Sequence, residues 1–253
     1  MRRFALPALM LLMAPAPAAA IVGVGASTVR DAGPGRHIVM IISTRGNVCT
    51  GTALARDLVL TAAHCVAPQA TYRISTPEHP KGFATARIVA HPRYDAANYQ
   101  KGRVTADVAL IRLTEPLPGA VVPAPLGKTG KVSPGDRFVI AGYGTIAPRS
   151  DAGLGVPRAA TLTVTGRPGN LQIRLVDPET KDTRFGLGAC TGDSGGPAFR
   201  NDEGRYGVIG VVSWSTGPKS TTGCGGLTGV TPLSLYRQWI ERTAETLGSP
   251  LGP

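Results

Sequence analysis

Gly192-Asp193-Ser194-Gly195-Gly196-Pro197 places a serine in a glycine-rich turn, where its hydroxyl can be exposed while its own amide and that of Gly192 face one point. Two amides converging in this way can hold a developing oxyanion. A serine hydroxyl is a weak nucleophile until a neighbouring base takes its proton, so the turn requires a histidine and a carboxylate to orient it. Of the four histidines, His64 in Thr61-Ala62-Ala63-His64-Cys65 follows an apolar run and adjoins a cysteine that can pin its loop. His37 opens a strand, and His79 and His91 each precede a proline in polar loops, which assigns them structural roles. Asp107 stands at the head of Val108-Ala109-Leu110-Ile111-Arg112-Leu113, an apolar strand. An acid there is costly to bury without hydrogen bonds, and a histidine ring N–H is a suitable donor. The competing reading of Asp107 is a simple turn cap.

The elements that must position these residues are short. Apolar or alternating runs separated by Gly, Pro, Asp and Asn predict strands at His37 to Ser43, Thr50 to Leu54, Leu58 to Thr61, Tyr72 to Ser75, Ala84 to Ala90 and Val108 to Leu113. Beyond a Pro- and Gly-rich stretch, Glu115 to Gly135, come Arg137 to Tyr143, Ala160 to Thr165, Leu171 to Val176, Pro197 to Arg200, Val208 to Trp214 and Leu227 to Val230. Regular short strands with turn signals between them predict an antiparallel all-β fold. The division into six and six predicts two six-stranded β-barrels, with residues 21–122 and 123–253 as the two halves. One C-terminal helix is expected: Thr231 as cap, Pro232 in the first turn, Leu233, Tyr236, Ile240 and Leu247 on one face, and Gly248 as stop. It is expected to close the second barrel, with a frayed tail from Ser249 to Pro253.

Composition narrows the function classes. The chain has 253 residues, of which 33 are Gly and 22 Pro, which excludes a long helical bundle. With 42% hydrophobic and 17% charged residues it can bury a sizeable core but cannot cross a membrane repeatedly. The 27 basic against 16 acidic residues give +11, yet the basic side chains are scattered singly, so a solvated basic surface is expected and no nucleic-acid partner. Residues 1–20 read as a signal peptide: Arg2 and Arg3, an apolar run from Phe4 to Met13, then Ala18-Ala19-Ala20. Its removal takes off two charges, to +9. Export to the periplasm or the exterior is therefore expected, without stable membrane insertion.

Four cysteines in an exported chain suggest two disulfides, for which three pairings are possible. Sequential pairing would close two local loops, each stabilising by roughly 3 kcal/mol on the loop-entropy account. No Cys-x-x-Cys or His-x-x-x-His spacing supports zinc. The loop Thr71 to Gly82 carries the single acid Glu78, too few oxygens for calcium, so neither metal nor cofactor is expected.

TAAHC, DVALIRL and GDSGGP, in that order and spacing, resemble the chymotrypsin-like (trypsin-like) serine peptidases of the bacterial secreted type. Ile21-Val22-Gly23 resembles the family's mature N-terminus, His91-Pro92-Arg93-Tyr94 its His-Pro-x-Tyr loop, Gly142-Tyr143-Gly144 its Gly-Trp-Gly, and Ser213-Trp214-Ser215 its Ser-Trp-Gly. The resemblance implies two perpendicular barrels with a catalytic triad, His64, Asp107 and Ser194, in the cleft between them. It implies an oxyanion hole from the Gly192 and Ser194 amides, disulfides Cys49–Cys65 and Cys190–Cys224, and a buried activation pair of the Ile21 α-amine with Asp193. Gly188, Ala189, Thr191, Ser213, Trp214, Ser215 and Gly229 then belong to substrate binding. Where the trypsins carry the acid of their specificity pocket, this chain has Gly188, so cleavage after small to medium uncharged residues is expected. The segment Gly217 to Gly223 is longer than is usual in the family. The expected partner is a peptide or protein substrate, and a monomer is expected. The competing reading is a secreted, non-catalytic binding module on the same fold; such relatives usually lose a triad residue or the glycine turn, and this chain keeps both.

Overall fold

The computed structural model describes residues 21–23, 25–29, 33–66, 70–128, 130–165 and 170–252; the signal peptide expected at residues 1–20 lies outside them. A two-residue strand, β1 (Ser27–Thr28), precedes the first barrel. That barrel consists of β2 (Ile38–Ser43), β3 (Val48–Ala55), β4 (Leu58–Thr61), β5 (Tyr72–Thr76), β6 (His79–Ala90) and β7 (Ala109–Leu113), closed in the order β2-β3-β4-β7-β6-β5. A one-turn helix, α1 (Ala96–Gln100), interrupts the path from β6 to β7. Asp95 caps it by accepting the Asn98 amide.

The second barrel consists of β8 (Arg137–Gly142), β9 (Arg158–Val164), β10 (Ile173–Val176), β11 (Pro197–Asp202), β12 (Arg205–Ser215) and β13 (Thr228–Pro232). Its order is β9-β10-β13-β12-β11-β8, and the β8–β9 pairing closes the ring; β1 adds to the outside of β9. All pairings between these strands are antiparallel, so the all-β fold of two six-stranded barrels stands as expected. Closure removes the exposed edges that short strands would otherwise present. Ile38, Ile41, Leu58, Leu60, Ile74, Leu110 and Leu113 fill the first barrel, and Phe138, Ile140, Leu162, Leu175 and Val230 the second.

The C-terminal helix differs from expectation in three respects. Thr231 and Pro232 do not start it, because they pair with Val211 and Gly210 as the end of β13. A 3₁₀ turn, Leu233–Leu235, follows, and only then α2 (Arg237–Thr246), which Gly248 ends with φ +72°. Nor does α2 close the second barrel. Tyr236, Ile240, Ala244 and Leu247 join the core of the first barrel, and His91 meets Tyr236 and Trp239 edge-on at 5.0 and 4.8 Å. Arg112 of β7 fixes the helix end by donating to the Leu247 carbonyl and pairing with Asp57. The tail is anchored as well, since buried Ser249 donates its hydroxyl to the same Asp57. The second half of the chain thus returns to clasp the first barrel, and its helix fastens one barrel to the other.

Ile240 is fully buried at this contact. Ile240→Ala is expected to destabilise the protein by about 2–5 kcal/mol in denaturant unfolding, the cost of lost transfer energy plus a cavity. Exposed Glu245→Ala on the opposite face should change it by less than about 0.5 kcal/mol.

Candidate active site

Pairing of Thr61 with Ala109 brings the exit of β4 beside the entrance of β7. The residues just outside these strand ends, His64 in the 3₁₀ turn Ala63–Cys65 and Asp107, are thereby forced together. Asp107 Oδ2 accepts from His64 Nδ1 at 2.8 Å, and Oδ1 accepts from the His64 backbone amide at 2.9 Å. Oδ2 also accepts the Ser213 hydroxyl from β12, at 2.5 Å. The carboxylate is 1% exposed, and three donors stand in for the water it has lost. The other ring nitrogen, Nε2, points away from the carboxylate, with Cys65 Sγ 3.7 Å from it. The Cys49–Cys65 disulfide ties the His64 turn to β3 with a Cα separation of 6.1 Å.

Ser194 reaches the same cleft from the second barrel. Its carbonyl accepts the Thr50 amide of β3, which joins the serine turn to the first barrel. The Thr50 hydroxyl donates to the Gly192 carbonyl and accepts the Tyr143 amide, so one buried side chain spans both barrels. Gly192 has φ +95°, and a Cβ there would meet Gly144 Cα at 2.9 Å. Only glycine takes this conformation and this close approach without strain. Among the described residues, the amides of Gly192 and Ser194 donate to no protein acceptor, and both residues line the cleft. Likewise no hydrogen bond among the described residues joins Ser194 Oγ to His64; such bonds commonly tighten only when substrate is bound.

Asp193, 1% exposed, supports the turn from behind. Its oxygens accept the amides of Gly144 and Cys190, each at 2.8 Å. Burial pushes its pKa up to about 7, opposed by those two amides and by the charge of Arg158. Val22 exchanges both backbone hydrogen bonds with Gly188, and Ile21 beside it is fully buried in the core of the second barrel.

The cleft has a volume of about 520 Å³ and takes in His64, Ser194, Thr191, Gly192 and Ser213 to Ser215. The remaining residues assigned to substrate binding lie deeper or elsewhere. Gly188 and Ala189 are buried, and the Ala189 amide donates to the hydroxyl of Thr228, a residue the motifs did not single out. A Cβ on Gly188 would have Gly225 at 3.3 Å and that hydroxyl at 3.5 Å. Gly229 lies beneath the Trp214 indole, which would stand 1.9 Å from its Cβ, so this glycine makes room for the ring. The Cys190–Cys224 disulfide joins the two walls with a Cα separation of 5.0 Å. Nearby carboxylates are engaged elsewhere: Asp177 by the Glu179 and Leu187 amides, Asp182 by the Lys219 amide. Asp151 is the acid lining the cleft, exposed at its rim. The long segment Gly217 to Gly223 folds onto itself through the 3₁₀ turn Pro218–Ser220 and the Gly217–Thr221 hydrogen bond.

Tyr99 of α1 was also missed by motif reasoning. Its ring stacks on His64, centroids 4.6 Å apart and 12° from parallel, and its hydroxyl donates to the Ser213 carbonyl at 2.8 Å. Burial raises its phenol pKa, so it remains a neutral donor. The Asp95 cap before Ala-Ala-Asn was the available signal, hidden because a one-turn helix is too short to show periodicity. One group of metal-binding residue types occurs among the described residues, Cys49, His64 and Cys65, and the disulfide uses both sulfurs.

Comparison with known proteins agrees with this geometry. The family model described as Trypsin matches residues 24–240. A trypsin-like protease of Streptomyces glaucescens is 30% identical over 221 residues, covering 79% of this chain and 75% of its own. Human kallikrein-15 is 30% identical over 222 residues, covering 77% and 80%, and a trypsin of Sarcophaga bullata 27% identical over 225 residues, covering 79% and 80%. With two barrels, a serine turn between them and a family match across most of its length, the chain belongs to the trypsin family and is a serine endopeptidase.

Proposed function

We propose that this endopeptidase is exported and cleaves after small to medium uncharged residues by a Ser194, His64, Asp107 acyl-enzyme mechanism. The observation that carries the reading is the buried Asp107 carboxylate on His64 Nδ1, in one cleft with Ser194 and two amides that have no protein acceptor among the described residues. Ser194 Oγ attacks the scissile carbonyl while His64 Nε2 takes its proton. The carbonyl oxygen, now negative, is held by the amides of Gly192 and Ser194, an interaction whose removal typically raises the barrier by about 3 kcal/mol. His64 returns the proton to the leaving amine; water then repeats the sequence on the acyl-enzyme. Asp107 keeps the ring in one tautomer and offsets the imidazolium charge.

Selectivity follows from the walls of the pocket. Gly188, Ala189 and Thr228, at the base of the pocket, bring no carboxylate. An arginine or lysine side chain buried there would keep an unpaired charge, a cost of several kcal/mol. Alanine, valine and leucine bring no such cost.

Activation is proposed to follow from export alone. Cleavage after Ala20 frees the Ile21 amine where Ile21 is already buried and Val22 already paired with Gly188. Ile21 has φ +40°, a conformation that β-branched residues avoid, and cutting the preceding bond releases that constraint. The freed amine, with an unperturbed pKa of about 8, is raised by pairing with Asp193. Its stabilisation is then full below the unperturbed value and is lost as pH rises through the folded one.

Three outcomes are expected. Ser194→Ala and His64→Ala each abolish peptide hydrolysis, and the double variant loses little more, because the residues act as one unit; near-parental turnover in either single variant would refute the assignment. A P1 library profile is led by Ala, Val or Leu, whereas one led by Arg or Lys would overturn the pocket reading. Sequencing of the exported protein begins at Ile21, and a form retaining one extra residue, confirmed intact by mass, is less active; equal activity would exclude the amine switch.

A further inference from the structure

Arg158 opens β9 and is only 5% exposed. A buried guanidinium is costly unless something in the fold answers its charge. In the β8–β9 pairing, Arg158 lies directly opposite Gly142. Opposed residues of an antiparallel pair project to the same face of the sheet. On that face the space a Gly142 side chain would occupy is taken by Asp193, whose Oδ1 lies 2.1 Å from the position of a Cβ. Arg158 therefore rises from the sheet beside the Asp193 carboxylate.

The guanidinium also reaches the loop before β9. Nη1 donates to the Gly153 carbonyl at 3.2 Å, and at 3.4 Å to that of Val156. Between them, Gly155 donates its amide to the Tyr143 carbonyl, and Leu154 stands 3.2 Å from the position of a Gly192 Cβ. One cation thus bonds to the loop beside the Gly192 turn and shares a sheet face with the carboxylate behind it.

We propose that Arg158 is a positioning residue for the oxyanion hole, a cation carried by the chain itself that holds Asp193 ionised and fastens residues 145–157 against Gly192. The inference rests on the reading of Gly192 and Ser194 as that hole. An amide donated to each oxygen favours the ionised form of Asp193; protonation would make one oxygen a poorer acceptor and weaken the Cys190 or the Gly144 contact. Burial drives Asp193 toward the neutral form and the Arg158 charge opposes this. Burial likewise lowers the Arg158 pKa while Asp193 raises it, so the two charges sustain each other. Few other groups near Asp193 can titrate. Cys190 is oxidised, and the Tyr143 hydroxyl is turned to the Ile38 carbonyl. The Ile21 amine, once freed, is the second cation available. Arg158 thus complements the amine: one charge is built into the sheet, the other arrives with processing.

The test is a carbon-13 carboxyl titration of Asp193 in the exported protein, assigned with Asp193→Asn, alongside kcat/KM from pH 6 to 8.5. Arg158→Met is expected to raise the Asp193 pKa by about one unit, the equivalent of a tenfold change in its ionisation equilibrium. Its loss in kcat/KM should be greater at pH 6 than at pH 8.5, because the carboxylate is recovered as pH rises. Arg158→Lys keeps the charge without the planar fork and should follow the parent in both measurements. Arg158→Gln is neutral but still donates a hydrogen bond, and should behave as Arg158→Met, so a folding failure of one neutral variant leaves the other to decide. An unmoved Asp193 titration overturns the proposal. So does a moved titration with unchanged kcat/KM, or a loss equal at every pH and shared by Arg158→Lys, which would reduce Arg158 to loop packing. The titration needs no turnover, so it separates failure of this inference from failure of the peptidase mechanism.

Discussion

The buried carboxylate of Asp107 is the constraint around which the cleft is organised. At 1% exposure it can remain charged only if donors replace its water, and the three that do come from two separate parts of the chain. The His64 turn supplies two and Ser213 of the second barrel the third. Removing any of them would leave an underpaired buried charge, so the fold has an energetic reason to keep the histidine loop, the head of β7 and the end of β12 in register. The alignment that the proposed mechanism requires is therefore also what the carboxylate requires for its own burial. Tyr99 joins the same network from outside, stacked on His64 and bonded to the Ser213 carbonyl, so both catalytic-side elements share one more tether.

Asp193 poses the same problem with a different answer. Its oxygens accept two backbone amides, and its charge is answered by Arg158 and, in the proposed mechanism, by a new chain terminus. Burial pushes the Asp193 pKa up to about 7 against its two amides and Arg158, whereas Asp107 is held by one backbone amide, the His64 ring and the Ser213 hydroxyl. Such a difference suits the two positions. In the proposed mechanism the histidine partner is held throughout, while the support of the Gly192 turn is where a step that depends on processing can act.

The barrels were legible because strand periodicity and turn residues are local signals that tertiary packing here reinforces. TAAHC, DVALIRL and GDSGGP named the side chains that the strand ends bring to the cleft, since chemistry restricts residue type at such positions. What escaped was non-local. Thr231 and Pro232 carry good helix-start chemistry, yet pairing with Val211 and Gly210 outweighs it. The helix face of Tyr236, Ile240 and Leu247 was visible, but nothing in it says which barrel it meets; the Arg112–Asp57 anchor that decides this is far away in sequence. Tyr99, Thr228 and Arg158 matter through cross-strand and ring contacts that leave no spacing pattern.

The distribution of stiffness in the cleft follows from these contacts. His64 and the walls of the pocket are each tied down by a disulfide, and the serine turn by the Thr50 bonds. Reacting groups must be held within fractions of an ångström, and sites built on pinned turns between strands achieve this. The segments at the rim, residues 145–157 and Gly217 to Gly223, carry no disulfide and are held by hydrogen bonds, some internal and some outward, such as Gly155 to Tyr143, Arg158 to Gly153 and Lys219 to Asp182. Substitutions there can reshape the pocket entrance without touching the carboxylate networks, whereas substitutions at β4, β7 or β12 must satisfy Asp107 first. The proposed reacting groups thus stand in turns pinned at strand ends, and the rim segments are where the pocket entrance can change.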